Sequence, residues 1–418
     1  MKLDNSAKIY PAIMSRSWAA MFRLSASLTE AVDASLLQKA ADQTIRRFPS
    51  FAQKLRRGFF WHYFEKINVP LRIERDVGNP LVRMNFRESN GYMLRVRYHE
   101  NRIAVEFFHA LTDGTGALTF LRTLVAQYLE LKYGAEIPRS VEILDCTEEP
   151  KPSENEDGFL KYERGIRLSS KEKFAFRIPG TEDENFLSIV TGLMDVKALL
   201  ALSKAHGCTL TELLVSVLIL SIDEIQLRYV PSRRMHKPVK ISVPINLRRF
   251  YPTSTVRNFS SYINPGIEPR YGEYSLEETI KRVKGFMASE LDEKLLNAKF
   301  STNVNFEKSP FIRAVPLFLK KPLLLLAFYF SGDRLTSSTI SNLGKVTLPE
   351  EMEKYVTRLD FMLGPLKRTR VACGCISYKG IFAFTFTRKI EEAHLERNFF
   401  TRLVKMGIRA TVESNQRW

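Results

Sequence analysis

Residues 102–116 have the sequence RIAVEFFHALTDGTG, which predicts a β-strand that turns sharply into a helix. Ile103, Val105 and Phe107 recur with the two-residue period of an extended chain. His109 continues this period, so it is expected on the same side of the strand. The histidine would then stand where the strand ends and the chain changes direction.

A helix is predicted to begin directly after this strand. Gly114 relaxes the backbone at the corner, and apolar residues recur at helical spacing from Leu118 onward. Asp113 stands just before the helix, where its carboxylate can accept the free N–H groups of the first turn. This arrangement suits a catalytic base, His109, and a residue that braces it. A core histidine and a simple helix cap explain the same short pattern, so the pattern alone leaves both interpretations open.

The chain has 418 residues, more than one hydrophobic core usually supports, and two domains are therefore predicted. Between Glu148 and Asp157 the sequence contains five acidic residues, two prolines and little that is apolar, which indicates an exposed linker. We expect an N-terminal lobe over residues 1–145, a linker or crossover over 146–180, and a C-terminal lobe over 181–418.

The composition narrows the partners. A net charge of +17 favours acidic ones, such as phosphorylated co-substrates, acidic carrier proteins, anionic membranes or nucleic acids. The aromatic run 59–64 follows Arg56 and Arg57, but no nucleic-acid-binding motif accompanies it, so nucleic acid is not predicted. Four cysteines provide neither a disulfide framework nor zinc-ligand spacing, so no metal site is expected.

The chain start lacks the apolar core of a signal peptide, and a cytoplasmic protein is expected. The longest apolar run, Pro322–Phe330, is far shorter than the roughly 20 residues that span a membrane. We expect this run to form a buried helix, with contact to a membrane surface as the less favoured alternative. A single helix is predicted over residues 276–298.

Three short motifs occur in order along the chain: HALTDG at 109–114, PINLR at 244–248 and SNLG at 341–344. Together they resemble the alcohol acetyltransferase-like branch of the CoA-dependent acyltransferase superfamily. That superfamily also contains chloramphenicol acetyltransferase, the condensation domains of nonribosomal peptide synthetases and the plant HxxxD acyltransferases. The resemblance covers nearly the whole chain. It implies an α/β fold of mixed sheets flanked by helices, in two chloramphenicol-acetyltransferase-like lobes with an active-site tunnel at their junction.

The resemblance also implies a function and roles for individual residues. His109 would act as general base in the transfer of an acyl group from acyl-CoA or an acyl-carrier protein to a small alcohol, without an acyl-enzyme. Asp113 would be structural, beside Gly114, and would pair with Arg248 of the other lobe. Asn342 and Ser338 would help polarise the carbonyl oxygen, although Asn342 also fits a turn residue. Acyl-CoA is expected as a co-substrate, with no permanently bound cofactor.

The sequence departs from the superfamily at one position. Phe108 stands where many condensation domains carry the first of two adjacent histidines. This change disfavours peptide condensation, and transfer to an amine therefore ranks second. The alternative from another class is a catalytically silent member of the fold that binds carrier proteins or lipids.

Overall fold

A computed structural model of the chain describes residues 1–14, 20–166, 168, 172–183, 186–329, 332, 334–366 and 369–415. The predicted first strand covered residues 17–28, and its residues 17–19 lie outside the described part of the chain. The remainder of that prediction is confirmed by a strand that begins at Met21.

The strands are β1 (Met21–Leu28), β2 (Gln53–Arg57), β3 (His62–Lys66), β4 (Ile73–Arg75), β5 (Leu94–His99), β6 (Arg102–Phe108), β7 (Ser188–Asp195), β8 (Val239–Asn246), β9 (Ser260–Ile263), β10 (Gly266–Ile267), β11 (Ser338–Lys345), β12 (Val356–Leu363), β13 (Val371–Tyr378), β14 (Ile381–Arg388) and β15 (Ala410–Ser414). The helices are α1 (Ile9–Ile13), α2 (Ala34–Arg47), α3 (Gly114–Tyr133), α4 (Gly158–Tyr162), α5 (Val196–Ala205), α6 (Leu210–Tyr229), α7 (Leu276–Glu290), α8 (Glu293–Lys308), α9 (Pro310–Ala314), α10 (Leu317–Phe328), α11 (Glu350–Glu353) and α12 (His394–Lys405).

The first sheet contains strands in the order β12-β1-β6-β5-β4 and is antiparallel except for the β4–β5 pair. Phe22 of β1 lies opposite Phe107 of β6, and their rings stack. On this face the aromatic core continues into Phe120 of α3, which touches Phe107 edge-on. This packing fixes the end of β6 against the beginning of α3, and His109 lies between them.

The second sheet has the order β10-β8-β11-β13-β14-β7-β15, with β9 paired to β8. Its core is formed by the apolar strand residues together with α6, whose side chains are buried along most of its length. The division at 146–180 stays a prediction. The two sheets are not built from separate parts of the chain. Strand β12 follows β11 of the second sheet in sequence, but it pairs with β1 in the first sheet.

Helix prediction was wrong at one break. The single helix expected over 276–298 is two helices, α7 and α8, and Asp292 caps the second by accepting from the Leu295 N–H. In the predicted exposed linker, five of the ten residues 148–157 are exposed, whereas the Glu154 side chain is buried and forms an ion pair with Arg47. Asp292 accepts a backbone hydrogen bond and Glu154 accepts from a guanidinium group of a distant segment. Composition alone does not reveal either contact.

The prediction of a buried helix over the apolar run Pro322–Phe330 was also wrong for the side chains that the structure describes, and Phe330 lies outside the described residues. Helix α10 buries Leu317 and Lys320, whereas Phe318, Leu323 and Leu326 are more than half exposed. Among the described residues no single helix is long and apolar enough to cross a membrane, and α5 and α6 reach that length only as a pair bent by 81°.

The opposite face of the first sheet carries a buried layer of charges. The Glu106 carboxylate accepts from Arg23 at 3.0 Å and from Arg95 at 2.6 Å, and the Glu106 side chain is fully buried. Burial acts to raise the pKa of Glu106, but the two guanidinium groups outweigh it and hold that pKa below its ordinary value. The carboxylate is therefore charged, and it compensates two arginines inside the protein.

We expect Glu106→Ala to lower the free energy of unfolding by about 3–5 kcal/mol, because it leaves the buried guanidinium group of Arg95 without its carboxylate partner. Arg23 loses one of its two carboxylate partners and keeps Asp76. Denaturant unfolding followed by circular dichroism measures this change. Glu65→Ala is the matched control, since Glu65 pairs with Arg56 at the exposed surface. Equal shifts of the unfolding midpoint in the two variants would contradict the expected importance of the buried layer.

Candidate active site

The predicted strand-to-helix corner is present. Strand β6 ends at Phe108, and the His109 N–H donates to the Ala20 carbonyl oxygen at 2.8 Å, which continues the sheet by one residue. Helix α3 begins at Gly114, and Asp113 Oδ1 accepts from the N–H groups of Thr115 and Gly116. The backbone on both sides of His109 is therefore fixed by hydrogen bonds.

The second carboxylate oxygen of Asp113 faces the other half of the chain. Oδ2 accepts from Arg248 Nη1 and from the Phe259 N–H, both at 2.8 Å. Asp113 is only 4% exposed. The Asp113 carboxylate thus accepts hydrogen bonds from three backbone N–H groups and from Arg248. These are the surroundings of a structural residue.

Arg248 extends this connection to loop 255–259. Its Nε donates to the Thr255 carbonyl oxygen at 2.9 Å and its Nη2 donates to that of Arg257 at 2.5 Å. From the opposite side, Thr112 Oγ1 donates to the Val256 carbonyl oxygen at 2.6 Å. Loop 255–259 is thus attached directly to the corner that carries His109.

Asn258 of this loop contacts the imidazole. Its Oδ1 lies 3.2 Å from His109 Nδ1, and its Nδ2 donates to Asp4 Oδ2 at 3.4 Å. Because Nδ2 of the Asn258 amide donates to Asp4, Oδ1 is the amide atom that faces the histidine, and an amide oxygen can only accept. Nδ1 must then carry the proton, and Nε2 is left with a free lone pair. This is the tautomer that a general base at Nε2 requires.

Aromatic rings enclose the imidazole on two sides. Tyr10 stacks on His109 with ring centroids 4.7 Å apart, and Phe22 meets it edge-on at 5.0 Å. Burial lowers the pKa of His109 below its ordinary value of 6.5, against smaller opposing contributions from Asp113 and Asn258. Burial likewise raises the pKa of the Tyr10 hydroxyl. The site therefore holds a neutral imidazole beside a neutral phenol.

The other residues singled out from the sequence lie in two surroundings. Ser338 is fully buried, and its hydroxyl donates to the Val371 carbonyl oxygen. Asn342 donates to Thr211 Oγ1 and accepts from the Gly344 N–H at 2.8 Å, which is the arrangement of a turn residue. The role of either residue in polarising a carbonyl stays a prediction.

Sequence reasoning missed Asp4, Tyr10 and Asn258. Asp4 does carry a local signal, since its Oδ1 accepts from the Ala7 N–H as in a helix cap, but nothing in that pattern indicates an active site. Tyr10 and Asn258 belong to no recognisable motif. Their contacts with His109 depend on how distant segments pack.

A cleft of about 300 Å³ lies between the two sheets and is lined by residues that include Arg23, Asp76, Arg358 and Asp360. The cleft lies on the face of β1 that carries Arg23. Phe22 lies on the opposite face and contacts His109, so the cleft is separate from the surroundings of the imidazole. The tunnel expected at His109 stays a prediction. Within the described ranges no group of three His, Cys, Asp or Glu side chains is arranged to hold a metal ion.

Comparison with solved structures gives matches along the whole chain. Polyketide synthase associated protein 5 from Mycobacterium tuberculosis has a TM-score of 0.63 and 13% identity, with 97% of each chain covered. TRI101 from F. graminearum, complexed with ethyl coenzyme A, has a TM-score of 0.61 and 12% identity, with 100% of this chain and 99% of that chain covered. The TRI3 trichothecene 15-O-acetyltransferase from Fusarium sporotrichioides has a TM-score of 0.60 and 12% identity, with 96% and 93% covered.

These structures share the fold of the CoA-dependent acyltransferases and condensation domains, and the present chain has that fold. The prediction of a mixed α/β architecture in two lobes is confirmed. No protein-family model matches the sequence, and neither does any of the curated proteins. At this level of identity the likeness establishes the fold, while activity has to be argued from the site.

The two glycines at the corner differ in how much space is available for a Cβ atom. A Cβ at Gly116 would lie 2.0 Å from the Val256 carbonyl oxygen, whereas a Cβ at Gly114 would meet only the end of the Leu343 side chain, at 2.8 Å. We expect Gly116→Ala to cost about 1–3 kcal/mol of stability because loop 255–259 must move away. Gly114→Ala is the matched control, since a flexible side chain can give way. Thermal unfolding checks both, and a larger loss in Gly114→Ala would contradict this ranking.

Proposed function

We propose that the protein is an acyltransferase that moves an acyl group from a CoA thioester to the hydroxyl of a small alcohol, with His109 as general base. The observation that carries this proposal is the 3.2 Å contact between His109 Nδ1 and Asn258 Oδ1, which favours the tautomer with the proton on Nδ1. A neutral imidazole, fixed at Nδ1 by Asn258, presents an unprotonated Nε2 at a rigid strand-to-helix corner. Such a group takes protons from hydroxyls near neutral pH.

In the proposed reaction a carbon–oxygen bond forms and a carbon–sulfur bond breaks, and one proton transfer accompanies each step. Nε2 of His109 takes the proton of the acceptor hydroxyl as its oxygen attacks the thioester carbonyl carbon. The carbon–sulfur bond of the resulting tetrahedral intermediate breaks, and the imidazolium returns the proton to the leaving sulfur. The products are an ester and free CoA thiol. The chain contributes base strength and orientation, and no covalent enzyme intermediate is needed.

The comparisons support the donor in this proposal. TRI101 was crystallised with ethyl coenzyme A and with coenzyme A together with T-2 mycotoxin, and TRI3 is a 15-O-acetyltransferase. The net charge of +17 suits the phosphates of CoA and also an acidic carrier protein. Transfer to an amine uses the same base and the same donor, and it is the second acceptor class to be assayed.

The first experiment follows thiol release from acetyl-, octanoyl- and palmitoyl-CoA with a panel of alcohols and amines. We expect acceptor-dependent release by the wild type, and a decrease of about 10²–10⁴-fold in His109→Ala, because a positioned base contributes that much to the rate. His62→Ala is the control, since His62 lies on β3 in a separate two-stranded sheet.

Two results would count against the proposal. Equal turnover by wild type and His109→Ala would remove the histidine from the reaction. Absence of release from every CoA donor would remove CoA as the donor and would leave a carrier-protein donor or the catalytically silent binding protein. Transfer from an acylated carrier protein then separates these two. Ester or amide formation, identified in the products by mass spectrometry, decides between the two acceptor classes.

The pH dependence tests the positioning of His109. The base works only when neutral, so activity is lost as the pH falls through the pKa of the imidazole. Since burial lowers that pKa, we expect the acid limb of kcat/KM below pH 6.5. The Asn258 hydrogen bond favours the charged imidazolium, so Asn258→Ala should move the limb to lower pH and reduce kcat.

Asn342→Ala is the control for this experiment, because Asn342 bonds to Thr211 and Gly344 and leaves Nδ1 of His109 untouched. Its acid limb should coincide with that of the wild type. A limb that stays in place in Asn258→Ala, or one that moves equally in both variants, would show that Asn258 does not set the protonation of His109.

A further inference from the structure

An apolar surface that the proposed reaction does not use stands beside helix α1. We define the apolar platform as the exposed side chains of the β2–β3 turn and of α10. Its members are between 44% and 67% exposed and are Phe59, Phe60, Phe318, Leu319, Leu323 and Leu326. Single exposed apolar residues are common on proteins, but a continuous group drawn from two elements indicates a surface that binds something.

Specific contacts join the two elements of the platform. The Leu317 N–H donates to the Phe59 carbonyl oxygen at 2.7 Å, and Lys320 Nζ donates to the Phe60 carbonyl oxygen at 3.0 Å. The same ammonium lies 3.7 Å from the centre of the Trp61 ring. The turn and the helix are therefore held as one surface.

Helix α10 has its polarity reversed relative to an ordinary surface helix. Lys320 faces inward and is only 2% exposed, while leucines and a phenylalanine face outward. The helix has 12 residues, about 18 Å in length, which is too short to cross a bilayer. A helix of this length that contacts a bilayer with its apolar face lies in the plane of the lipid–water interface.

The charges around the platform identify its partner. Residues 309–328 contain no acidic residue, and their exposed cations are Arg313 and Lys321, since Lys320 is buried. Arg57 is also exposed, at the edge of the turn. A second copy of the chain placed face to face on the platform would bring these cations together, which is unfavourable. Anionic headgroups would instead neutralise them while the apolar side chains enter the acyl layer.

We propose that the apolar platform docks this protein on the surface of an anionic lipid bilayer, with α10 lying in the interface. The helix contributes the apolar area, and Arg57 and Lys321 contribute attraction to the headgroups. This assignment is independent of the acyl-transfer reaction, since neither His109 nor Asn258 takes part in it.

The test is co-sedimentation of the full chain with vesicles of phosphatidylcholine, with and without phosphatidylserine. We expect binding to the anionic vesicles that weakens as salt is added, because the headgroup attraction is screened. Leu323→Glu should reduce the bound fraction about tenfold or more, since it places a carboxylate in the acyl layer. Lys321→Glu should reduce binding to the vesicles that contain phosphatidylserine. Its binding to vesicles of phosphatidylcholine alone should equal that of the wild type.

Leu200→Glu on α5 is the matched control, because Leu200 is 49% exposed and Leu323 is 54% exposed, both on helices. It should bind vesicles as the wild type does. Thermal unfolding establishes that each variant is folded, and Leu326→Ser replaces Leu323→Glu if the latter is not.

Three outcomes would overturn the proposal. The first is no wild-type binding to anionic vesicles at low salt, and the second is an equal loss in Leu200→Glu and Leu323→Glu. The third is a wild-type dimer in light scattering that Leu323→Glu dissociates while vesicle binding is absent, which would show that a second copy covers the platform. Acyl transfer is measured separately with water-soluble donors and acceptors, so failure of docking and failure of the reaction are distinguishable.

Discussion

The ion pair between Asp113 and Arg248 is the interaction on which the geometry of the site depends. Asp113 caps α3 with one oxygen and binds Arg248 and the Phe259 N–H with the other. Arg248 in turn bonds to the backbone of loop 255–259, which carries Asn258 to the imidazole. One carboxylate therefore caps a helix and holds a loop in place, and that loop carries Asn258 to His109. The charge of Asp113 also acts directly on the imidazole, since it opposes the lowering of the His109 pKa by burial.

Local signals made much of this arrangement predictable. The alternation from Ile103 to Phe107 and the cap at Asp113 belong to neighbouring residues, and each appears in the structure where the sequence indicates it. The resemblance also implied the contact between Asp113 and Arg248, which the structure contains. The resemblance carried by the three motifs also predicted the two lobes. This was possible because a fold is conserved even where sequence identity is very low. The catalytic roles of these residues stay predictions.

The features that could not be predicted depend on packing between distant segments. Asn258 touches His109 across 149 residues of sequence, and no periodicity or motif marks it. The apolar run in α10 was misinterpreted for a related reason. Hydrophobicity indicates burial on average, but the side of α10 that faces inward is set by Lys320, which finds the Phe60 carbonyl and the Trp61 ring in a turn some 260 residues earlier.

The contact between the amide of Asn258 and Asp4, separated by 254 residues, has a consequence for how the molecule forms. Closing such long loops is entropically costly and slow, whereas the strand and helix around His109 are local and fast. During refolding the corner should therefore acquire its backbone shape well before the imidazole acquires its neighbours. For an interval the chain would contain native secondary structure around a solvated, ordinary histidine. The chemical character of His109 thus depends on contacts between segments that are far apart in the sequence.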